Sequence, residues 1–395
     1  MGRYFTKKNR VLIAGLLVLA VAGGMLVFRD QIITTILFNA QDVPQDVEEG
    51  VRGGEDVAVV AEGLTIPWEI AFLPNGDMLV TERPGRLVRI GQDRTVFEID
   101  GVRHVGEGGL LGLALHPNFE QNRYLYLYMT TQESGGLTNR VERYRFENDT
   151  LADRTEIIAG IPGASFHDGG RIAFGSDGLL YITTGDAGNE QWAQEPDVLA
   201  GKILRLNDDG SIPDANPFGN EIYSWGHRNP QGLAWDDTGQ LWATEHGRSG
   251  VQSGFDELNR IMDGSNYGWP EIEGDETGHA MVAPVIHSGA DYTWAPGGMA
   301  YFEGSIFFAG LRGSALYEAV LDPPSSETTE GRRVAELKAH FVNEFGRLRA
   351  VTLGPDPSRA SGQVLYISTS NRDGRGRVNA GDDKIIRINP RVFTE

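Results

Sequence analysis

The chain has 395 residues, no cysteine and a formal net charge of −20. Lack of cysteine excludes disulfides, thiolate metal sites and cysteine nucleophiles, and a body this acidic is repelled by phosphate backbones, so nucleic acid is not an expected partner. The chain is 40% hydrophobic, and its 52 glycines and 18 prolines fall at turns between apolar runs, which describes a folded chain of many short strands rather than disorder.

In chain order, the first element is a basic flank. Residues 1–10 carry Arg3, Lys7, Lys8 and Arg10 with no acid, and residues 11–28 follow without a charge. That apolar run reads as a transmembrane anchor with its basic flank in the cytoplasm, which places the rest of the chain outside, in the periplasm or at the cell surface. An uncleaved anchor is preferred to a signal peptide because no A-x-A cleavage pattern follows. Residues 29–55, with Asp42, Asp46, Glu48, Glu49 and several glycines, read as a linker, and residues 56–392 as the folded body.

Within that body a short apolar strand, a turn and a second apolar strand recur six times with like lettering, at Ala71, Ala114, Ala173, Ala234, Ala300 and Val351. Turn pairs such as Asn75-Gly76, Asp177-Gly178 and Thr238-Gly239 separate the strands, and further β-type runs fill each interval, for example 87–90, 141–146, 203–206 and 258–261. Three or four strands per repeat make a propeller blade, and a blade buries its apolar faces only against its neighbours. The expected fold is an all-β six-bladed β-propeller around a central channel. Pairing residues 57–60 with 384–388 would complete the last blade and remove two open strand edges.

The repeat also supplies a phase. In a propeller the first strand of each blade lines the axis, and the loops leading into these strands share one mouth of the channel. Just before these strands stand Glu107, His167, Arg228, Asn229, Arg347 and Arg349. Each has a plainer reading: His167 as a turn residue before Asp168-Gly-Gly, Arg228 and Asn229 as partners for inter-blade carbonyls, Arg347 and Arg349 as solvated charge. Together, three arginines in an acidic protein point to an anionic ligand, and a neutral histidine beside them suits a general base.

At these residues the chain resembles the soluble pyrroloquinoline-quinone (PQQ) dependent glucose and aldose-sugar dehydrogenases, over about residues 60–390. The markers are Gly106-Glu-Gly-Gly-Leu-Leu-Gly-Leu-Ala-Leu-His-Pro117, His167-Asp-Gly-Gly-Arg171, Gly185-Asp186, Gly226-His-Arg-Asn-Pro-Gln-Gly232, Asp256-Glu257 and Asn266-Tyr-Gly-Trp-Pro270. The resemblance implies a six-bladed propeller with PQQ over the channel mouth. It makes His167 the base at the sugar's anomeric hydroxyl and Arg228 the residue that polarises the quinone. Gln191, Arg228, Asn229, Arg312, Arg347 and Arg349 would hold the cofactor, and Glu107 stands where the family has a glutamine near it. It further implies calcium: main-chain carbonyls of Gly247 and Arg248 at the cofactor, and Glu257 with the carbonyl of Tyr267 at a structural ion. Oxygen-only ligation suits that hard cation. A solvated turn is the plainer reading of Asp256-Glu257. Phe166 replaces an aspartate of the glucose enzyme, and Arg312 replaces a lysine.

The function expected is oxidation of an aldose to its lactone, with electrons passing to a diffusible or respiratory acceptor. Two alternatives stand beside it: a calcium-dependent propeller lactonase, which needs acidic and asparagine side chains on the axis, and a noncatalytic carbohydrate- or protein-binding propeller.

Overall fold

The computed structural model describes residues 43–44, 47–52, 56–248, 254–324, 331–359 and 362–393. The expected anchor over 11–28 lies outside the described residues, as does most of the linker. Among the described residues no helix is long and apolar enough to cross a membrane.

The repeated lettering acts first at the turns. In the first hairpin Asn75 Oδ1 accepts from the Asp77 amide at 3.1 Å, while Gly76 takes φ 88°, a conformation that side chains rarely tolerate. Asp177, Asp236 and Asp356 accept in the same way from the amides of Leu179, Thr238 and Ser358. Between the turns, the second strands Met78–Glu82, Leu180–Thr184, Leu241–Glu245 and Ser305–Gly310 are buried at every residue, because each is covered on both faces by neighbouring blades.

Six sheets result, with innermost strands Pro67–Phe72, Leu110–Leu115, Ile172–Phe174, Pro230–Trp235, Pro296–Phe302 and Leu348–Pro355. Each innermost strand pairs antiparallel with the next strand in sequence, and the sixth packs against the first, closing the ring. The core is divided accordingly into six apolar clusters, one at each blade interface. Tyr126, Tyr128 and Ile182 join the second and third blades, for example, and Trp242, Phe308 and Tyr317 the fourth and fifth. The fold is therefore the six-bladed propeller expected from the repeats.

The ring closes as the sequence suggests. Val57–Ala61 is the outermost strand of the sixth blade and runs antiparallel to Ile385–Ile388, with Val57 opposite Ile388. Within the span expected as linker, Glu48–Glu49 pairs in parallel with Lys338–Ala339 on the outer edge of the fifth blade. The Gly50 amide donates to the Ala339 carbonyl at 2.8 Å, and that of Val51 to His340 Nδ1 at 3.1 Å. This short segment covers an otherwise open sheet edge.

Candidate active site

Two sets of loops open on one mouth of the channel. Loops leading into the innermost strands carry Glu107, His167, Arg228, Asn229, Arg347 and Arg349, and loops leaving the second strands carry Arg83, Asp186, His246, Gly247 and Arg312. The two sets meet at His167. Its backbone is left-handed, with φ 60°, uncommon for a residue other than glycine. His167 Nδ1 lies 2.7 Å from Asp186 Oδ1, and the same carboxylate accepts from the Gly188 amide at 2.8 Å and from Trp269 Nε1 at 3.0 Å.

A carboxylate only accepts, so in neutral His167 the proton belongs on Nδ1 and the lone pair on Nε2. Burial acts to raise the pKa of Asp186, but the hydrogen bond and charge of His167 outweigh it and hold the carboxyl below its ordinary value. The histidine ring lines a cleft of about 220 Å3 together with Phe166, Arg228, Arg248 and Trp269. Two larger clefts, of about 560 and 390 Å3, open among hairpin turns on the opposite face, around Asp236 and Asn75. Volume does not select the site here; the convergence of ionisable groups does.

The His167 loop is fixed from several sides. Asn229 is buried and its Oδ1 accepts from the Gly169 amide at 3.0 Å, while a Cβ at Gly185 would collide with the His167 carbonyl. Arg228 is buried, lays its guanidinium over the Trp269 ring at 5.2 Å from the centroid and donates Nη1 to the His246 carbonyl at 3.3 Å. Burial lowers the pKa of Arg228 against the opposing charges of Asp186 and Asp256.

The remaining expected residues are placed differently from one another. Arg347 donates Nε and Nη2 to Asp373 Oδ2 at 3.0 and 2.8 Å, and Arg349 donates Nη1 to Gln231 Oε1. Arg312 is partly buried on its loop, and burial lowers its pKa. Gln191 is exposed on the 3-10 helix Glu190–Gln194, whose Glu190 borders the cleft. Glu107 accepts from Arg375 Nη1 at 2.6 Å and from the His167 amide at 3.1 Å. On the axis below, Arg171 pairs with Glu69, donates Nε to the Gln231 carbonyl at 2.8 Å and stacks over Trp68 at 4.3 Å. Burial pushes Arg171 and Arg349 down to about 9.

The residues expected to hold calcium lie on the fourth blade. The Gly247 amide donates to Asp256 Oδ1 at 2.9 Å, and the Arg248 carbonyl accepts from the Gly254 amide at 3.3 Å. Glu257, partly buried, accepts from Asn259 Nδ2 at 2.9 Å. Burial, and then the charges of Glu245 and Asp256, push its carboxyl well above the ordinary value. Tyr267 is buried, stacked on the His227 ring at 4.7 Å, and donates its hydroxyl to the Arg260 carbonyl at 2.6 Å. Among the described residues no three histidine or carboxylate side chains converge to hold a metal; a site built mainly from backbone carbonyls requires no such cluster.

Sequence reasoning quoted Asp186 and Trp269 as markers without giving them roles, and passed over His246, Asp373 and Arg375. The signal was available for Asp186 and His246, each of which closely follows the second strand of its blade, as the expected Arg312 does. Those loops share the mouth by the same repeat phase that placed His167.

The sequence model of the Glucose / Sorbosone dehydrogenase family matches residues 64–385. The chain is 31% identical over 358 residues to the aldose sugar dehydrogenase YliI of Escherichia coli, covering 80% of this chain and 93% of that protein. Quinoprotein glucose dehydrogenase B of Acinetobacter calcoaceticus is 34% identical over 267 residues, covering 58% of this chain and 55% of its own. The structure of the PQQ-bound form of aldose sugar dehydrogenase from Streptomyces coelicolor superposes with a TM-score of 0.75 at 40% identity, over 84% of this chain and 97% of that one.

Proposed function

The chain belongs to the glucose / sorbosone dehydrogenase family and is an oxidoreductase of the quinoprotein sugar-dehydrogenase type, and from that premise we propose that it oxidises the anomeric carbon of aldoses to lactones with PQQ and with His167 as the base. The observation that carries this reading is the His167–Asp186 contact at 2.7 Å beside a cleft bordered by Arg228 and Arg248.

PQQ is a flat aromatic tricarboxylate, and the mouth offers chemistry that fits it. Arg228, Arg248 and Arg312 supply positive charge, Trp269 an aromatic face, and the buried Asn229 Nδ2 and His246 Nε2 have no hydrogen-bond partner among the described residues. Burial pushes His246 down to about 3, so it stands there as a neutral donor or acceptor. Arg347 and Arg349 bring charge from the far side, already engaged by Asp373 and Gln231. PQQ, when bound, supplies the quinone that accepts the hydride from C1 of the sugar.

The chain's own groups do the rest. His167 Nε2 takes the proton of the anomeric hydroxyl, and the Nδ1 proton donated to Asp186 stabilises the resulting imidazolium. Arg228, buried at the edge of the cleft, would supply positive charge to stabilise a quinone bound there as it is reduced. Phe166 offers an exposed ring at the cleft for the sugar's apolar face.

The test is to add PQQ and calcium to the purified full-length chain in detergent and follow dye reduction with a panel of aldoses. Saturable PQQ binding and sugar-dependent reduction are expected. Absence of PQQ binding would sink the reading. The charge pattern of residues 1–28 supports an extracytoplasmic propeller tethered to the cytoplasmic membrane, with electrons leaving to a diffusible or respiratory acceptor.

Calcium is part of the same proposal. Glu257 stands opposite Glu245 in the sheet and beside Asp256 in sequence, like charges that a cation carried mainly by backbone carbonyls would relieve. Calcium at about a hundred times its Kd is expected to stabilise the protein by about 2.7 kcal/mol, which for a domain of this size raises Tm by about 4 °C. Measured without PQQ, the part of the response due to the structural ion should be lost in Glu257→Gln. Equal melting curves in calcium and in chelator would remove the structural ion from the account.

A further inference from the structure

Glu107 is the one acid among the expected cofactor residues, and its surroundings give it another task. Its loop and the His167 loop clasp each other: the Glu107 amide donates to the Ser165 carbonyl at 2.9 Å, and the His167 amide donates back to Glu107 Oε2 at 3.1 Å. A Cβ at Gly106, whose φ is 60°, would collide with the same Ser165 carbonyl, so the two backbones meet without room for a side chain. The second carboxylate oxygen accepts from Arg375 Nη1 at 2.6 Å, a residue 268 positions away on the sixth blade. Burial works against the charge, but Arg375 and then His167 outweigh it and hold the Glu107 carboxyl well below the usual carboxylate range. Both oxygens are therefore committed within the chain.

We propose that Glu107 is a positioning residue rather than a cofactor ligand. It holds the backbone of His167 in the left-handed conformation that aims the imidazole at Asp186, and Arg375 cancels its charge so that an anionic ligand is tolerated nearby. A non-glycine residue at positive φ persists only where its surroundings over-determine it, and the carboxylate-to-amide bond is a charge-assisted one of the stronger kind. The role in turnover rests on His167 being the base; the clasp itself does not.

The experiment compares Glu107→Ala and Glu107→Gln with the parent full-length chain in two measurements. The first is amide hydrogen exchange of peptides covering 163–170 without PQQ. The second is steady-state turnover at saturating PQQ with glucose or whichever aldose the parent oxidises best. Glu107→Ala is expected to speed exchange in that segment about tenfold or more and to lower kcat by about ten- to a hundredfold, with sugar KM changed less than about threefold. Glu107→Gln keeps an acceptor oxygen for the His167 amide and should recover most of the protection and most of kcat. Unchanged exchange in Glu107→Ala would overturn the proposal. So would weakened PQQ binding with kcat intact at saturation, which is the signature of a direct ligand. If Glu107→Ala does not fold, Glu107→Asp, which draws the carboxylate back by one methylene, must show the same local rise in exchange at unchanged Tm. A parent chain that fails to oxidise any sugar would sink the functional reading and leave the exchange result to judge the clasp.

Discussion

Replacing His167 by alanine is expected to lower kcat by about 10²–10⁴-fold, the usual contribution of a positioned general base, while PQQ affinity and Tm stay near those of the parent. The fold should survive because the Asp186 carboxylate retains two donors, the Gly188 amide and Trp269 Nε1. Asp186→Asn should act in the same direction with intact binding. An amide in place of the carboxylate can donate to Nδ1, which favours the tautomer whose lone pair faces the wrong way. Dye-reduction kinetics at saturating PQQ check both. A His167→Ala protein that turns over within about threefold of the parent would remove histidine from the mechanism.

The largest loss of stability is expected from Glu69→Ala, on the axis below the site. Glu69 is buried and pairs with Arg171, whose pKa is lowered by burial and then by the neighbouring Arg349. Removing the carboxylate leaves the buried Arg171 guanidinium over the Trp68 ring without its counter-charge and with the like charge of Arg349 nearby. Breaking a buried pair from one side costs about 3–5 kcal/mol, equivalent to a fall in Tm of about 4–7 °C in a domain of this size. The double variant Glu69→Leu, Arg171→Met should recover much of the loss, because no charge is then left uncompensated. Thermal melts of the three proteins decide it, and a Glu69→Ala curve that overlays the parent would contradict the argument.

The ring was legible in the sequence because its cause is local. Hairpins such as the first are set by a short turn, here Asn75-Gly76 and Asp77, and the apolar lettering on either side fixes which strands are buried. Repetition then left one architecture. The shared mouth followed from the same phase, which brought His167, Arg228 and Asn229 to one end of the channel before any distance was known. What the sequence did not yield are pairings between loops, within a blade or across two. Arg347 was read as a ligand for carboxylates on the cofactor, yet Asp373, 26 residues on, already accepts two of its N–H groups. Glu107 is the one acid among the expected cofactor residues, and the arginine that pairs with it, Arg375, lies 268 residues downstream. Nothing in composition or periodicity ties such residues together. Their partners are chosen by loops whose course depends on the closed ring.

That closure has a consequence for how the protein comes into being. The strand Val57–Ala61 is among the first parts of the body to be synthesised, and its partner Ile385–Ile388 is among the last. Until the ribosome has released almost the whole chain, five blades can form but the sixth has no edge on which to finish. A nascent or prematurely terminated molecule therefore carries an unpaired apolar strand at its amino-terminal end and an open ring at the other. The join therefore acts as an inspection of length: a chain that stops before Ile385 retains the exposed edge that quality-control proteases and chaperones recognise.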